Sequence, residues 1–155
     1  MQKKGFTLVE TVVAIGIFAI LATIGSLLLF GALRGSKKAS AISLVKTEGT
    51  FALDGMTSML RFAQEVSVCT ATSITFTSLS GDNIVYTCDN GKIASNSADL
   101  TSTKVNVDTC TIACSPTPPK TKTIDISFTL SRKDATTVLD RAIVPFQTQV
   151  VLRNY

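Results

Sequence analysis

Hydrophobic and polar residues follow three successive patterns along the chain, and the first is a long uncharged run. All 22 residues from Val12 to Leu33 are uncharged, and the most polar of them are Thr23 and Ser26. As an α-helix this run would be about 33 Å long, close to the roughly 30 Å thickness of a bilayer hydrocarbon core. A cleaved secretory signal has a shorter apolar region, of roughly 7 to 15 residues, followed by a small-residue cleavage site. The run therefore predicts a retained membrane-spanning helix.

The second pattern is a helical stripe that continues the apolar run. Apolar or small residues recur at spacings of three and four, at Ile42, Val45, Gly49, Ala52, Met56, Met59, Ala63 and Val66. These spacings place them on one face of a helix. Since no proline interrupts residues 6–66, the sequence predicts one continuous helix of about 60 residues, roughly 90 Å long. Its first half is expected in lipid and its second half against a sheet.

The third pattern is an alternation of apolar and polar residues that begins after Cys69 and is typical of β-strands. Two alternating segments flank the turn residues 80–82 and predict a hairpin. Residues 124–130 and 146–152 predict two further strands. Residues 89–122, rich in Asn, Ser, Thr, Asp and Pro, are predicted to be loop with at most one short strand. An antiparallel sheet with one face on the helix satisfies every alternation, which gives an α+β fold class.

Composition and charge exclude several classes of function. The chain has 155 residues, of which about 120 remain outside the span, enough for one small domain. Residues 36–155 carry 12 Lys and Arg against 10 Asp and Glu, so no basic patch is implied and no nucleic-acid partner is predicted. The sequence contains no His, hence no His-based triad or general base near neutral pH. We predict no enzymatic activity and no cofactor; a hydrolase on a stalk is disfavoured because no nucleophile–base pair is evident.

Four cysteines follow the span, at positions Cys69, Cys88, Cys110 and Cys114. On an oxidising side of a membrane, an even count favours two disulfides, with three possible connectivities. The alternative, a zinc site, prefers paired cysteines two to four residues apart, and only Cys110 and Cys114 approach that spacing. We therefore predict disulfides and no metal. If the hairpin returns Cys88 to the start of its first strand, the expected bridges are Cys69–Cys88 and Cys110–Cys114.

Glu10 is the one charged residue at the head of the apolar run. An ionised carboxylate near lipid costs at least a few kcal/mol unless a partner neutralises it. In one interpretation Glu10 lies in the headgroup layer, where water and lipid amines satisfy it and no function follows. In the other it requires a cation. Lys3 and Lys4 lie on the wrong side of Gly5 to be secure partners within the helix, although Lys3 could reach Glu10 as part of a flexible tail.

The segment GFTLVE, residues 5–10, resembles the class III signal of type IV pilins and type II secretion pseudopilins, which follows a short basic leader. In that family a membrane-embedded prepilin peptidase cuts after the glycine and N-methylates the new amino terminus. The resemblance implies cleavage between Gly5 and Phe6, which creates an ammonium group at Phe6, and methylation keeps its charge. Glu10 then pairs with the Phe6 amine of a neighbouring chain and fixes the register between packed helices.

The chain departs from the family in one respect, which concerns helix unwinding. Many members carry a proline inside the hydrophobic helix, whereas the first proline here is Pro116. Local unwinding of the helix during packing is therefore not implied for this chain. Cations flank the span on both sides, so the expected orientation, with a cytoplasmic leader and an extracytoplasmic head, rests on the resemblance alone.

The resemblance also implies a division of the chain and a set of partners. A cleaved leader (1–5) is followed by the membrane half of the helix (6–35), its extracytoplasmic amphipathic half (36–68) and a β-sheet head (69–155). The carboxyl end, PFQTQVVLRNY, is similar to minor rather than abundant subunits. Expected partners are prepilin peptidase, other pilin or pseudopilin subunits, membrane lipid and the assembly platform of a pilus or secretion machinery. The alternative is a single-pass membrane protein whose head binds a ligand and never polymerises.

Overall fold

The described part of the chain, residues 5, 7–137 and 140–153 of a computed structural model, contains one long helix and eight strands. The helix, α1, extends over Leu8–Leu60. The chain divides into two compact units, Met1–Lys37 and Lys38–Tyr155. The first unit contains the apolar part of α1, and the second contains the remainder of α1 and all eight strands. The predicted α+β fold class is confirmed.

The second half of α1 buries one face, as the stripe predicted, with small differences in the residues used. Its buried residues are Ala41, Val45, Gly49, Ala52, Met56 and Leu60. Leu60 takes the place predicted for Met59, which is 51% exposed. The spacings of three and four are those of residues stacked on one helix face, so this face forms one wall of the core.

The helix ends six residues earlier than predicted, because the apolar period continues beyond it into non-helical chain. The N–H groups of Phe62 and Ala63 donate to the carbonyls of Met59 and Leu60, three residues back, and these tight bonds end the helix. Ala63 and Val66 are buried in the same core as the helix stripe, which explains why the period extended to them. The first strand begins at residue 65, inside the segment predicted to be helix up to 68.

The first sheet has five antiparallel strands in the order β1-β2-β3-β4-β5. Their bounds are β1 Glu65–Cys69, β2 Ser73–Thr77, β3 Asn83–Asp89, β4 Lys92–Ser95 and β5 Ala98–Asp99. The predicted hairpin around residues 80–82 joins β2 to β3, and Gly81 there has a φ of +89°. Asn90 and Gly91, both with positive φ, connect β3 to β4 as in a type I′ hairpin turn.

The second sheet has three antiparallel strands, β6 Val105–Ser115, β7 Thr123–Arg132 and β8 Ile143–Val151. The strands β7 and β8 confirm the two predicted at 124–130 and 146–152. The prediction of a mostly loop segment at 89–122 is wrong, because it contains β4, β5 and the eleven-residue β6. A register shift between Val107 and Thr109 interrupts the alternation of β6 and hid this strand in the sequence. The single predicted sheet is thus two.

The disulfides are Cys69–Cys114 and Cys88–Cys110, so the count of two is confirmed and the predicted pairing is wrong. Cys110 and Cys114 are four residues apart on β6, about 13 Å in an extended strand, beyond the roughly 7 Å limit for the two Cα atoms of a disulfide. Cys69 and Cys88 belong to β1 and β3, and β2 lies between those strands. Both bridges therefore connect β6 to the first sheet.

One hydrophobic core fills the second unit, formed by the buried face of α1 and the inner faces of both sheets. Helix and sheet approach each other closely at Gly49, where an added Cβ would lie 2.1 Å from Cζ of Phe146. Phe146, on β8, stacks on Phe128 of β7 with ring centroids 5.2 Å apart. A glycine at position 49 is therefore what lets this aromatic pair pack directly on the helix backbone.

Candidate processing and assembly site

The first unit exposes a continuous apolar surface. Every residue from Thr7 to Lys37 is exposed, and large side chains such as Leu8, Phe18 and Leu27 are more than 70% accessible. Soluble monomers rarely expose contiguous apolar patches above a few hundred Å². Within the described residues, α1 is long and apolar enough to cross a membrane by length and composition. An exposed surface of this kind is typical of a helix that lies in lipid or among other apolar helices.

Thr7 and Glu10 form a reciprocal cap at the start of this helix. The Glu10 N–H donates to Oγ1 of Thr7 at 3.3 Å, and the Thr7 N–H donates to Oε2 of Glu10 at 3.4 Å. The Thr7 hydroxyl also lies 3.5 Å from the same carboxylate oxygen. This is a capping box, in which an N-cap side chain and an acidic residue three positions later satisfy each other's backbone N–H groups.

The cap changes the interpretation of Glu10, for which the sequence analysis considered only a cation or the headgroup layer. The carboxylate has partners in its own chain and lies at the positive end of the helix dipole, which favours a negative charge there. The contacts are long, near 3.4 Å, and both described partners use one oxygen, Oε2. An ionised carboxylate has about four acceptor positions, so Glu10 retains capacity for a strong donor from elsewhere.

Thr7 is the residue that the sequence analysis missed. The pattern Thr7-Leu8-Val9-Glu10 has the Ser/Thr-x-x-Glu spacing that marks a helix start directly before an apolar run. This capping signal lies within the segment GFTLVE, residues 5–10. It was overlooked because Glu10 was considered only as a charge near lipid and not as a partner of the helix backbone.

The predicted cleavage point is only partly within the described residues. Gly5 is exposed, and an added Cβ there would meet no atom within 4 Å, so neither packing nor a positive φ requires a glycine at this position. Phe6 lies outside the described residues, and the predicted cut and the pairing of its amine with Glu10 stay predictions. The assignment of Gly5 to processing accordingly depends on the signal sequence.

The titratable and metal-binding side chains of the head bear on the predicted absence of a metal site. No group of three or more Asp, Glu, Cys or His side chains is placed to hold a metal ion among residues 5, 7–137 and 140–153. All four cysteines are in disulfides. Burial raises the pKa of Tyr86, partly offset by a hydrogen bond with Ser95, but this ring packs against Phe76 in the core. The chemistry predicted from the sequence is thus concentrated at the start of α1.

Residues 1–32 match the prokaryotic N-terminal methylation motif. The match includes the leader, Gly5, Glu10 and most of the apolar run, and it indicates a type IV pilin-like substrate of prepilin peptidase. No curated protein and no solved structure matches the chain. The resemblance is thereby confirmed for the N-terminal segment, and the apolar helix that follows the signal fits a membrane-anchored protein.

Proposed function

We propose that this protein is a structural subunit, minor rather than abundant, of a type IV pilus or a type II secretion pseudopilus. Prepilin peptidase removes residues 1–5 and methylates the amine of Phe6, and the chain then assembles through α1. The observation that carries this proposal is the combination of the N-terminal methylation motif with an apolar helix exposed on all sides and headed by Glu10. A helix of this kind needs similar helices as neighbours once it leaves lipid.

Assembly uses the carboxylate of Glu10 and the new amine of Phe6. Four positions separate them in the sequence, which corresponds to a rise of about 6 Å in an α-helix, so a neighbouring chain displaced along the helix axis by about one turn brings its amine level with Glu10. When a second helix packs alongside, its Phe6 ammonium occupies the free acceptor positions of Glu10. Each charge then has a counter-ion in a dry environment, where an unpaired charge is costly.

The resulting interface is heterologous, because the amine of one chain meets the carboxylate of the next. Repetition of such a contact without closure produces a helical filament. In this arrangement residues 6–35 occupy the membrane before assembly and the head lies on the extracytoplasmic side. The partners are prepilin peptidase, other pilin or pseudopilin subunits, membrane lipid and the assembly platform.

The experiment that tests the proposal compares three variants expressed in cells with a complete assembly machinery. Glu10→Ala and Glu10→Gln both remove the charge, whereas Thr7→Ala removes the cap partner and leaves the carboxylate. We expect all three to be inserted and cleaved, since these steps precede packing. The two Glu10 variants should be missing from sheared filaments by quantitative blot, and Thr7→Ala should still be incorporated. Loss of incorporation in Thr7→Ala as complete as in the two Glu10 variants would assign Glu10 a capping role only, and normal incorporation of the Glu10 variants would contradict the proposal.

A measurement of the mature amino terminus separates the proposal from its main alternative. Mass spectrometry of the purified protein should find N-methylated Phe6 in the wild type and an intact leader in Gly5→Val. A head that binds a ligand and never polymerises predicts normal behaviour of the Glu10 variants and no subunit in sheared filaments. Wild-type protein found only in the membrane fraction, under conditions where filaments form, would favour that alternative.

A further inference from the structure

A cavity of about 500 Å³ lies on the second unit, between α1 and the chain at and after the end of β5. Thr47, Glu48 and Phe51 line it from the helix, and residues 99–103 line it from the opposite side. The Ser102 N–H donates to Oε2 of Glu48 at 3.1 Å, which joins the two walls to each other. Small-molecule sites in proteins commonly have volumes of roughly 300 to 1,000 Å³, so the cavity has room for a ligand of that kind.

Phe51 gives the cavity an exposed aromatic wall. Its side chain is 68% exposed, whereas the rings of Phe76, Phe128 and Tyr86 are buried in the core. The Phe51 ring stacks on no other ring among the residues that the structure describes. A phenyl ring in this position presents a flat apolar face beside polar groups, and an apolar face of a ligand would remove it from water.

The polar groups of the cavity include both acceptors and donors. The carboxylate of Glu48 has about four acceptor positions, and its one described donor is the Ser102 N–H. Oγ of Ser102 accepts the Lys104 N–H at 3.4 Å, which leaves its hydroxyl hydrogen available for donation. Thr103 adds a second hydroxyl, on an exposed residue. Ligand hydroxyls fit this set best, because a hydroxyl donates to a carboxylate and accepts from another hydroxyl.

The charges around the cavity are nearly balanced. Glu48 and Asp99 are the carboxylates in its walls, and Asp99 is paired with Lys92. Glu48 has no ion pair in the described part of the chain. Lys46 and Lys104 directly adjoin lining residues in the sequence, and both are exposed. A cationic ligand would meet these lysines and an anionic one the carboxylate of Glu48, so the cavity favours an uncharged ligand.

We propose that this cavity binds a neutral saccharide. A pyranose ring carries a face of C–H groups and hydroxyls around its edge, and it has no charge. The C–H face packs on the ring of Phe51, and one sugar hydroxyl donates to Glu48. A second sugar hydroxyl accepts from Ser102 or Thr103. A soluble sugar and a glycan on a cell surface present the same chemistry. The inference goes beyond the proposed function and does not depend on filament formation.

The test uses the full-length protein in nanodiscs of phosphatidylcholine, which contain no sugar. Saturation-transfer NMR is recorded with glucose, galactose, mannose, N-acetylglucosamine, cellobiose, chitobiose and lactose, and with sialyllactose as an anionic comparison. We expect at least one neutral sugar to bind, with the strongest transfer to the protons of one ring face. Retention of the nanodiscs on beads that carry the same sugar will assign a surface glycan, and binding of the free sugar alone a soluble one. Absence of binding by every neutral sugar, or tighter binding of sialyllactose than of lactose, would overturn the proposal.

Three variants locate the binding. Phe51→Ala should weaken the affinity at least about fivefold by removing the apolar face, and Glu48→Gln at least about tenfold by removing a charged acceptor. Phe62→Ala is the matched control, because it removes an exposed phenyl ring just beyond the end of α1 and outside the cavity, and it should bind like the wild type.

The conservative change at Glu48 separates ligand binding from support of the cavity wall. Glutamine keeps an oxygen that accepts the Ser102 N–H, so hydrogen exchange in residues 100–105 should stay as in the wild type. Unchanged affinity in either Phe51→Ala or Glu48→Gln would overturn the proposal. Equal losses in Phe51→Ala and Phe62→Ala would overturn it as well, because they would place the sugar outside this cavity.

Discussion

Gly49→Ala should destabilise the head although alanine is the better helix former. The added Cβ would lie 2.1, 2.3 and 2.7 Å from three ring atoms of Phe146. Ordinary contacts begin near 3.4 Å, so the ring must retreat by more than 1 Å. That retreat is opposed by the stacking of Phe146 on Phe128. Overpacking of this kind costs about 3 kcal/mol at the upper end of its usual range.

The gain in helix propensity offsets only part of this cost. Replacing a helical glycine by alanine stabilises by about 1 kcal/mol, which leaves a net loss of about 2 kcal/mol. The entropy of unfolding is about 2.1 cal/mol/K per residue, or about 250 cal/mol/K for the 118 residues of the second unit. A loss of about 2 kcal/mol therefore corresponds to a fall in Tm of about 8 °C. Thermal unfolding of the detergent-solubilised, oxidised protein, followed by near-ultraviolet circular dichroism, measures the shift.

Gly55 supplies the matched control on the same helix. An added Cβ at Gly55 would meet no atom within 4 Å, so Gly55→Ala should raise Tm by about 4 °C from propensity alone. Adding Phe146→Leu should cost less in the Gly49→Ala background than in the wild type, because the smaller side chain relieves the overlap. The reasoning is refuted if Gly49→Ala is as stable as Gly55→Ala.

Three further predictions concern the disulfides, the cap and the core. Replacing both Cys69 and Cys114 by alanine should lower the free energy of unfolding in urea by about 3.5 kcal/mol, the value for a loop shortened from 45 to about 23 residues by the intact Cys88–Cys110 bridge; a loss below 1 kcal/mol would contradict this. Thr7→Ala should weaken the helix start by about 1 kcal/mol, seen as faster amide exchange in the first turn, and Thr23→Ala should not. Because burial raises the pKa of Tyr86, stability should fall as pH rises above 10, and less steeply in Tyr86→Phe.

The sequence patterns were most informative where one physical constraint acted alone. The apolar half of α1 was predictable because the sequence carries no charge from Val12 to Leu33, and β7 because buried and half-buried residues alternate along it. The end of α1 was not predictable, because Ala63 and Val66 are buried in the same core as the buried face of the helix. The period of apolar residues in a sequence reflects which residues are buried. Here burial continues through Ala63 and Val66, whereas the backbone has already changed from helix to strand.

The missed features of the head depend on contacts between distant segments. Asn90-Gly91 is a strong local hairpin signal, but it was masked by the polar composition around it. The disulfide partners depend on how β6 lies against the first sheet, where the Ile112 N–H donates to the Ala71 carbonyl. No spacing along the chain encodes that crossing. The hydrogen bond from the Lys38 ammonium to the Arg141 carbonyl likewise joins positions more than a hundred residues apart.

The exposed apolar surface of α1 has a consequence for rotation about the helix axis. Large aliphatic or aromatic side chains point in every direction around it between Val12 and Leu33. In lipid such a helix would be held firmly at its depth, whereas all rotations about its own axis would be nearly equal in energy. In the filament proposed above, the rotation that a subunit adopts about this axis would then be set by residues outside Val12 to Leu33.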